Sequence, residues 1–259
     1  MRMMKKVLGT VTVLALSVSL LAGCGSTAAS PVSSAASTAA ESTTSSVVSE
    51  TTSAAADENV AAAAQLLNDL TGSYQELWPV ILADEYKQTW LDDCAALVGE
   101  ENAEAAIEKL SSMVTSDVYG EDAVEAYANG GGAYFCGFTN SLATLTFDGE
   151  TSTISGTDKD GNVLFSHTYH YIGMEPVHGL YEFESDDADS GEFTYFFLAP
   201  DTSAETYHIE FRYGSDADAL SQYDAGDYAY WVASGISTDC DQTMIDNCIE
   251  LFCTENLAG

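Results

Sequence analysis

The chain has 259 residues, 41 of them Asp or Glu against seven Lys or Arg, for a formal net charge of −34 at pH 7. So acidic a surface repels nucleic-acid phosphates and excludes a nucleic-acid partner. Apolar residues make up 46% and aromatic ones 10%, which excludes a wholly disordered chain and supplies a core.

At the N-terminus, Arg2, Lys5 and Lys6 precede an apolar stretch at 7–21 that contains only small polar residues. That stretch is too short for a comfortable membrane span and reads as a signal peptide over 1–23. Leu21-Ala22-Gly23-Cys24 resembles the lipobox of bacterial lipoproteins. The resemblance implies cleavage before Cys24, lipid on the Cys24 sulfur, and a chain held by that lipid anchor on the extracytoplasmic face of the cell membrane. Beyond the signal, four basic residues stand against all 41 acidic ones, a formal −37. Such charge attracts cations, although solubility alone also accounts for it. Residues 24–57 are almost entirely Ser, Thr, Ala and Val, without an apolar period or an aromatic residue. This composition predicts a disordered tether.

Residues 58–259 are the length of one domain. Helical spacing of apolar residues predicts helices at 59–70, 77–97 (with Pro79 in its first turn), 102–114 and 121–128. After Gly130-Gly131-Gly132 the apolar period changes to two. Strands are expected at 133–138, 142–147, 152–155, 163–172, 180–184, 193–198 and 206–213, separated by turn residues. A last helix at 241–253 has Ser237 or Asp239 as its expected N-cap. The pattern is that of an α+β fold, an antiparallel barrel or sandwich with helices on its flanks.

Five cysteines follow Cys24: Cys94, Cys136, Cys240, Cys248 and Cys253. An exported chain permits disulfides, but an odd count leaves one thiol over. Cys248 and Cys253 sit on different faces of a helix, so Cys240 is the expected partner of one of them. No Cys-x-x-Cys occurs, which argues against a zinc ribbon or a thioredoxin-like site.

The candidate chemistry lies in Tyr207-His208-Ile209-Glu210-Phe211-Arg212-Tyr213. On a strand, His208, Glu210 and Arg212 share one face. His and a carboxylate two residues apart can both ligate one zinc ion, given further ligands from a neighbouring strand. A solvated face on which Arg212 neutralises Glu210 is the simpler alternative. Asp158-Lys159-Asp160-Gly161-Asn162 begins like a calcium loop but has Tyr169 at the twelfth position, so a hairpin turn is expected. Asp186 to Gly191 reads as an acidic turn. No Gly-x-Ser-x-Gly or phosphate-binding glycine loop is present, and the chain reads as a binding protein, not an enzyme.

That strand, with Ser215-Asp216 and Tyr228-Ala229-Tyr230-Trp231 before a final helix, resembles the ZinT family of zinc-binding, lipocalin-like domains. Leu70-Thr71-Gly72-Ser73-Tyr74-Gln75-Glu76-Leu77-Trp78-Pro79 and Gly179-Leu180-Tyr181-Glu182-Phe183-Glu184 are similar to the family's opening and to one of its barrel strands. The resemblance implies an antiparallel lipocalin-like (calycin) barrel, zinc as the bound ion with no organic cofactor, and a metal-importer component as partner. It departs at the metal site. Glu210 stands where the family's His-x-His has its second His, and Tyr195 and Phe196 stand where it has an Asp-His pair. The His-rich segment is missing. The expected ligands are therefore His208 and Glu210, with His170 as third; His167, Glu182 and Glu184 are the other candidates. The alternative is a metal-free barrel that binds a small molecule or a protein partner.

Overall fold

The computed structural model describes the backbone of residues 47–199 and 208–258, with side chains from Glu58 onward. Cys24, the expected signal peptide, and Thr206 and Tyr207 of the expected strand lie outside the described residues. Helix α1 (Val47–Asp69) reaches back into the Ala-rich end of the 24–57 stretch. It lays Ala63, Leu66, Leu67 and Leu70 on the barrel core, at the i, i+3, i+4, i+7 spacing of one helical face.

Eight strands form a closed antiparallel barrel in sequence order. They are β1 (Gly72–Glu76), β2 (Thr144–Asp148), β3 (Thr153–Thr157), β4 (Val163–Met174), β5 (Tyr181–Ser185), β6 (Tyr195–Leu198), β7 (His208–Gly214) and β8 (Ala233–Ser237). The ring closes where Tyr74 of β1 pairs with Ser237 of β8. This is an α+β fold of calycin type, with helices α2 (Leu77–Ile81), α3 (Lys87–Val98), α4 (Ala103–Ser112), α5 (Glu121–Ala128), α6 (Ala217–Leu220) and α7 (Gln242–Leu257) around the barrel.

An eight-stranded barrel is just wide enough for side chains to fill its interior or for one small ligand. Here rings fill it. Phe196 lies 5.4 Å from Tyr213 and 5.9 Å from Phe165, and Phe211 lies 5.8 Å from Tyr213, centroid to centroid. A second core lies outside β8, where Ile236 packs with Trp78, Ile81, Trp90 and Leu110 and with Ile245, Cys248 and Ile249 of α7.

The structure departs from the sequence reading in four places. The single helix expected at 77–97 is broken: α2 ends at Ile81, the chain turns through Asp84–Tyr86, and α3 begins at Lys87. The Trp90 indole N–H holds that corner by donating to the Ile81 carbonyl at 2.7 Å. Residues 133–138 form no strand. They make only isolated bridges, Phe135 to Thr115 and to Trp231, because no barrel edge is open to them. β1 and β8 take the two places in the ring that the sequence left unassigned. The N-cap of α7 is Asp241, whose carboxylate accepts from the Met244 N–H at 3.0 Å, while Ser237 belongs to β8. The 158–162 segment is the β3–β4 turn, in which Asp158 accepts from the N–H groups of Asp160 and Asn162.

All five described cysteines are thiols. Cys253 faces Cys94 across α3 and α7 with 3.7 Å between sulfurs, so its neighbour is not Cys240. Beside this pair, Asp93 has a buried Oδ2 without a hydrogen-bond partner. Burial, helped by the charges of Glu250, Asp246 and Asp92, raises its pKa. A carboxyl whose folded pKa exceeds its unfolded value binds its proton more tightly in the fold. Stability therefore falls as pH rises through the window between the two, and the penalty is complete above the folded pKa. Asp93→Asn should raise the melting temperature at pH 7, and the gain should shrink at pH 4. Equal gains at both pH values would contradict this.

Candidate binding cleft

β7 alternates as the sequence predicts. Ile209, Phe211 and Tyr213 point into the lumen core, and the other face carries His208, Glu210 and Arg212. That outer face is neither lumen nor open solvent. His208 sits opposite Ile236 and Glu210 opposite Ser234, both half-buried beneath the outer layer. Arg212 is fully buried. Its guanidinium donates to the carbonyls of Leu220, Gln222 (3.3 Å) and Tyr228 (2.5 Å) and rides 4.2 Å above the Tyr223 ring. It thus fastens the 220–228 segment to the barrel wall.

Between this wall, α7 and the 113–136 segment lies a cleft of about 240 Å³. That is a little below the roughly 300–1,000 Å³ range of sites for drug-sized molecules and suits a smaller ligand. Trp78, Tyr134, Phe252 and Tyr223 supply its aromatic surfaces, and Cys136, Glu210 and Ser234 supply polar atoms. Local geometry holds the walls. Trp78 packs edge-on against Phe252 at 4.7 Å, and Tyr127 stacks on Tyr230 at 3.7 Å. Tyr230 has a positive φ of 57°, which a non-glycine residue keeps only when its surroundings enforce it. Gly132 is required here, since a Cβ would stand 2.3 Å from the Tyr127 ring.

The cleft leaves hydrogen-bond donors unmet. Of the three Trp indoles, Trp90 donates to Ile81 and Trp231 to Gly137, at 2.7 and 2.9 Å. The Trp78 N–H is buried without a nitrogen or oxygen partner. The Cys136 sulfur lies beside it, and a thiol sulfur is a weak acceptor. The buried Tyr223 hydroxyl also lacks a partner. Its neighbour is the Arg212 guanidinium, which can only donate, so the O–H proton has no acceptor. Arg212 Nε is a third orphan. Buried polar groups are nearly always satisfied, and one left unmet costs about 1–3 kcal/mol. Burial, with the charge of Glu210, pushes the Cys136 and Cys248 thiols up to about 12 each.

The expected third ligand lies elsewhere. His170 is exposed on the outer face of β4, with Nδ1 2.8 Å from Asp186 and Nε2 3.9 Å from Glu184. β5 and β6 stand between it and β7. His167 is paired with Asp187 at 2.8 Å. Glu182 sits on β5 opposite Phe197. His178 lines the cleft, with its ring 4.1 Å from that of Tyr223. Among the described residues, no group of three or more His, Cys, Asp or Glu is arranged to hold a metal ion. Sequence reasoning missed Trp78, Tyr134, Tyr223 and Phe252 as site residues. They come from four distant segments, and no local spacing marks them.

No family model matches the chain, and no curated protein matches it. Among solved structures it is similar to the Zn(II)-bound ZinT-like domain of Streptococcus pneumoniae AdcA, at 15% identity and a TM-score of 0.44, covering 70% of this chain and 87% of that one. Zn(II)-bound AdcA from Streptococcus pneumoniae follows at 14% identity and a TM-score of 0.40, covering 71% of this chain and 34% of that one. Likeness at that level carries no argument about the site, and the barrel described above rests on its own strand pairings.

Proposed function

We propose that this chain is a lipid-anchored binding protein of the extracytoplasmic face, not an enzyme, and that the cleft beside β7 takes a small uncharged molecule. One observation carries the reading: Trp78 and Tyr223 line a single cleft, each with a buried donor that lacks a nitrogen or oxygen acceptor. A ligand with carbonyl, ether or hydroxyl oxygens answers both donors. Aromatic walls give it apolar contact, and Glu210 and Ser234 can accept from its own donors. An anionic ligand is disfavoured by the negative charges at Glu210, Glu255 and the surrounding surface. The basic n-region and the Leu21–Cys24 tetrapeptide support export and lipid attachment at Cys24.

The test is a thermal-shift panel of neutral sugars, nucleosides and small amides, with zinc chloride as a separate arm. One neutral class should raise the melting temperature of the wild type, and Tyr223→Phe should show a smaller rise at the same ligand concentration. No shift from any neutral compound would contradict the reading.

A second reading keeps a divalent cation, zinc, on His208 and Glu210 for capture and hand-over to an importer. Their shared outer face on β7, and a surface charge that concentrates cations, favour it. His170 would have to be replaced as third ligand, and among the described residues no third His, Cys, Asp or Glu is arranged to complete the set. Zinc titrated calorimetrically into EDTA-stripped protein should then bind to the wild type and fail to bind to His208→Ala or Glu210→Ala. Absence of heat in the wild type would rule this reading out.

A further inference from the structure

We propose that Cys94 and Cys253 are the pair this chain joins as a disulfide when it folds under oxidising conditions. Each side chain is fully buried, Cys94 on α3 and Cys253 on α7, and their sulfurs stand 3.7 Å apart. Bonding requires a separation of about 2.05 Å, so the sulfurs must close by roughly 1.7 Å. Side-chain rotation and a small shift of two packed helices can supply that. The other three cysteines are placed differently: Cys136 faces Trp78 and Ser234, and Cys240 and Cys248 neighbour one another. The pairing accounts for two of the five and joins parts of the chain that lie far apart in sequence.

Chemistry and burial together set the order of events. The oxidant is a disulfide, either that of a thiol–disulfide exchange protein or of a small thiol such as glutathione. One cysteine, as thiolate, attacks it and expels one thiolate, leaving a mixed disulfide. The second, also as thiolate, attacks the protein sulfur of that bond and expels the other. One S–S bond forms and one is consumed, two protons leave the protein thiols, and the oxidant is reduced to two thiols. Inside the finished fold both thiols are shielded, and burial pushes their pKa values up, with Asp93 adding to the effect. Exchange is therefore fast only before α3 and α7 close. Once made, the bond is protected from reductants by the same packing.

The experiment uses the full-length chain in detergent, unfolded in urea with its thiols reduced, then refolded in a buffer of reduced and oxidised glutathione. Remaining thiols are blocked with N-ethylmaleimide, and the protein is cut after Glu. The expected product is one cross-linked species that joins the peptide carrying Cys94 to the peptide carrying Cys253, with two of the five thiols after Cys24 lost. The oxidised protein should melt roughly 5–15 °C higher than the same protein refolded with reductant. In Cys94→Ala, Cys253 should be fully alkylated, and that temperature difference should vanish. Recovery of Cys94 and Cys253 both alkylated from the wild type, or of Cys253 joined to Cys240, would overturn the proposal.

Discussion

Arg212→Ala should destabilise the domain by about 3–5 kcal/mol, measured as a fall in the urea midpoint at unchanged slope. Three losses add up. The carbonyls of Leu220, Gln222 and Tyr228 lose their shared donor, and the space beneath the 220–228 segment is emptied. The third loss is electrostatic. Glu175 is fully buried, its carboxylate accepting from the Val177 and His178 N–H groups at 2.7 Å each. Its charge helps to keep Arg212 protonated against the downward pull of burial, and the attraction is mutual. Without the guanidinium that buried carboxylate loses its cation. Arg212→Lys should recover only part of the loss, because an ammonium cannot span three carbonyls with a fixed fork. A cost below about 1 kcal/mol for Arg212→Ala would show that this fastening is not structural.

Phe196→Ala should cost about 3–5 kcal/mol, the usual range for truncating a buried Phe. The ring is fully buried at the centre of the lumen, 5.4 Å from both Tyr169 and Tyr213. Its neighbours are strand residues whose backbones are tied on both sides by ladder bonds, so collapse around the void is limited. The same variant separates two binding modes. A ligand housed in the outer cleft should bind Phe196→Ala as it binds the wild type, provided the measurement is made where the variant remains folded. Affinity that falls together with stability would instead place the ligand in the lumen.

Much of the barrel could be read from alternation. β2, β4, β5 and β7 each put large apolar residues on every second position, β6 is a short unbroken apolar run, and turn residues divide them. β8 could not be found this way. Ala233-Ser234-Gly235-Ile236-Ser237 has the lumen on one side and the α2–α7 layer on the other, so all five residues are buried and no alternation remains. β1 is Gly-Ser-Tyr-Gln-Glu, weak in strand-forming residues, and it holds its place through pairing with β2 and β8. Residues 133–138 show the reverse error. Their apolar pattern suits a strand, but tertiary packing uses Tyr134 and Cys136 as cleft walls. At the site, the shared face of His208, Glu210 and Arg212 follows from strand geometry alone. What covers that face does not, since α7, Trp78 and the 220–228 segment arrive from remote parts of the chain. The orphaned donors on Trp78 and Tyr223 are a property of that assembly and have no signature in sequence.

Donors that mark a ligand site must weaken binding when they are removed, and calorimetric titration measures that loss. The neutral compound giving the largest thermal shift would be titrated into the wild type, Trp78→Phe and Tyr223→Phe. Each variant deletes one donor and keeps the aromatic wall. A hydrogen bond worth about 0.5–1.5 kcal/mol corresponds to a loss of roughly 2–12-fold in affinity. The expected result is one-to-one binding by the wild type and weakening of that order in both variants. Affinity unchanged in both variants would contradict it.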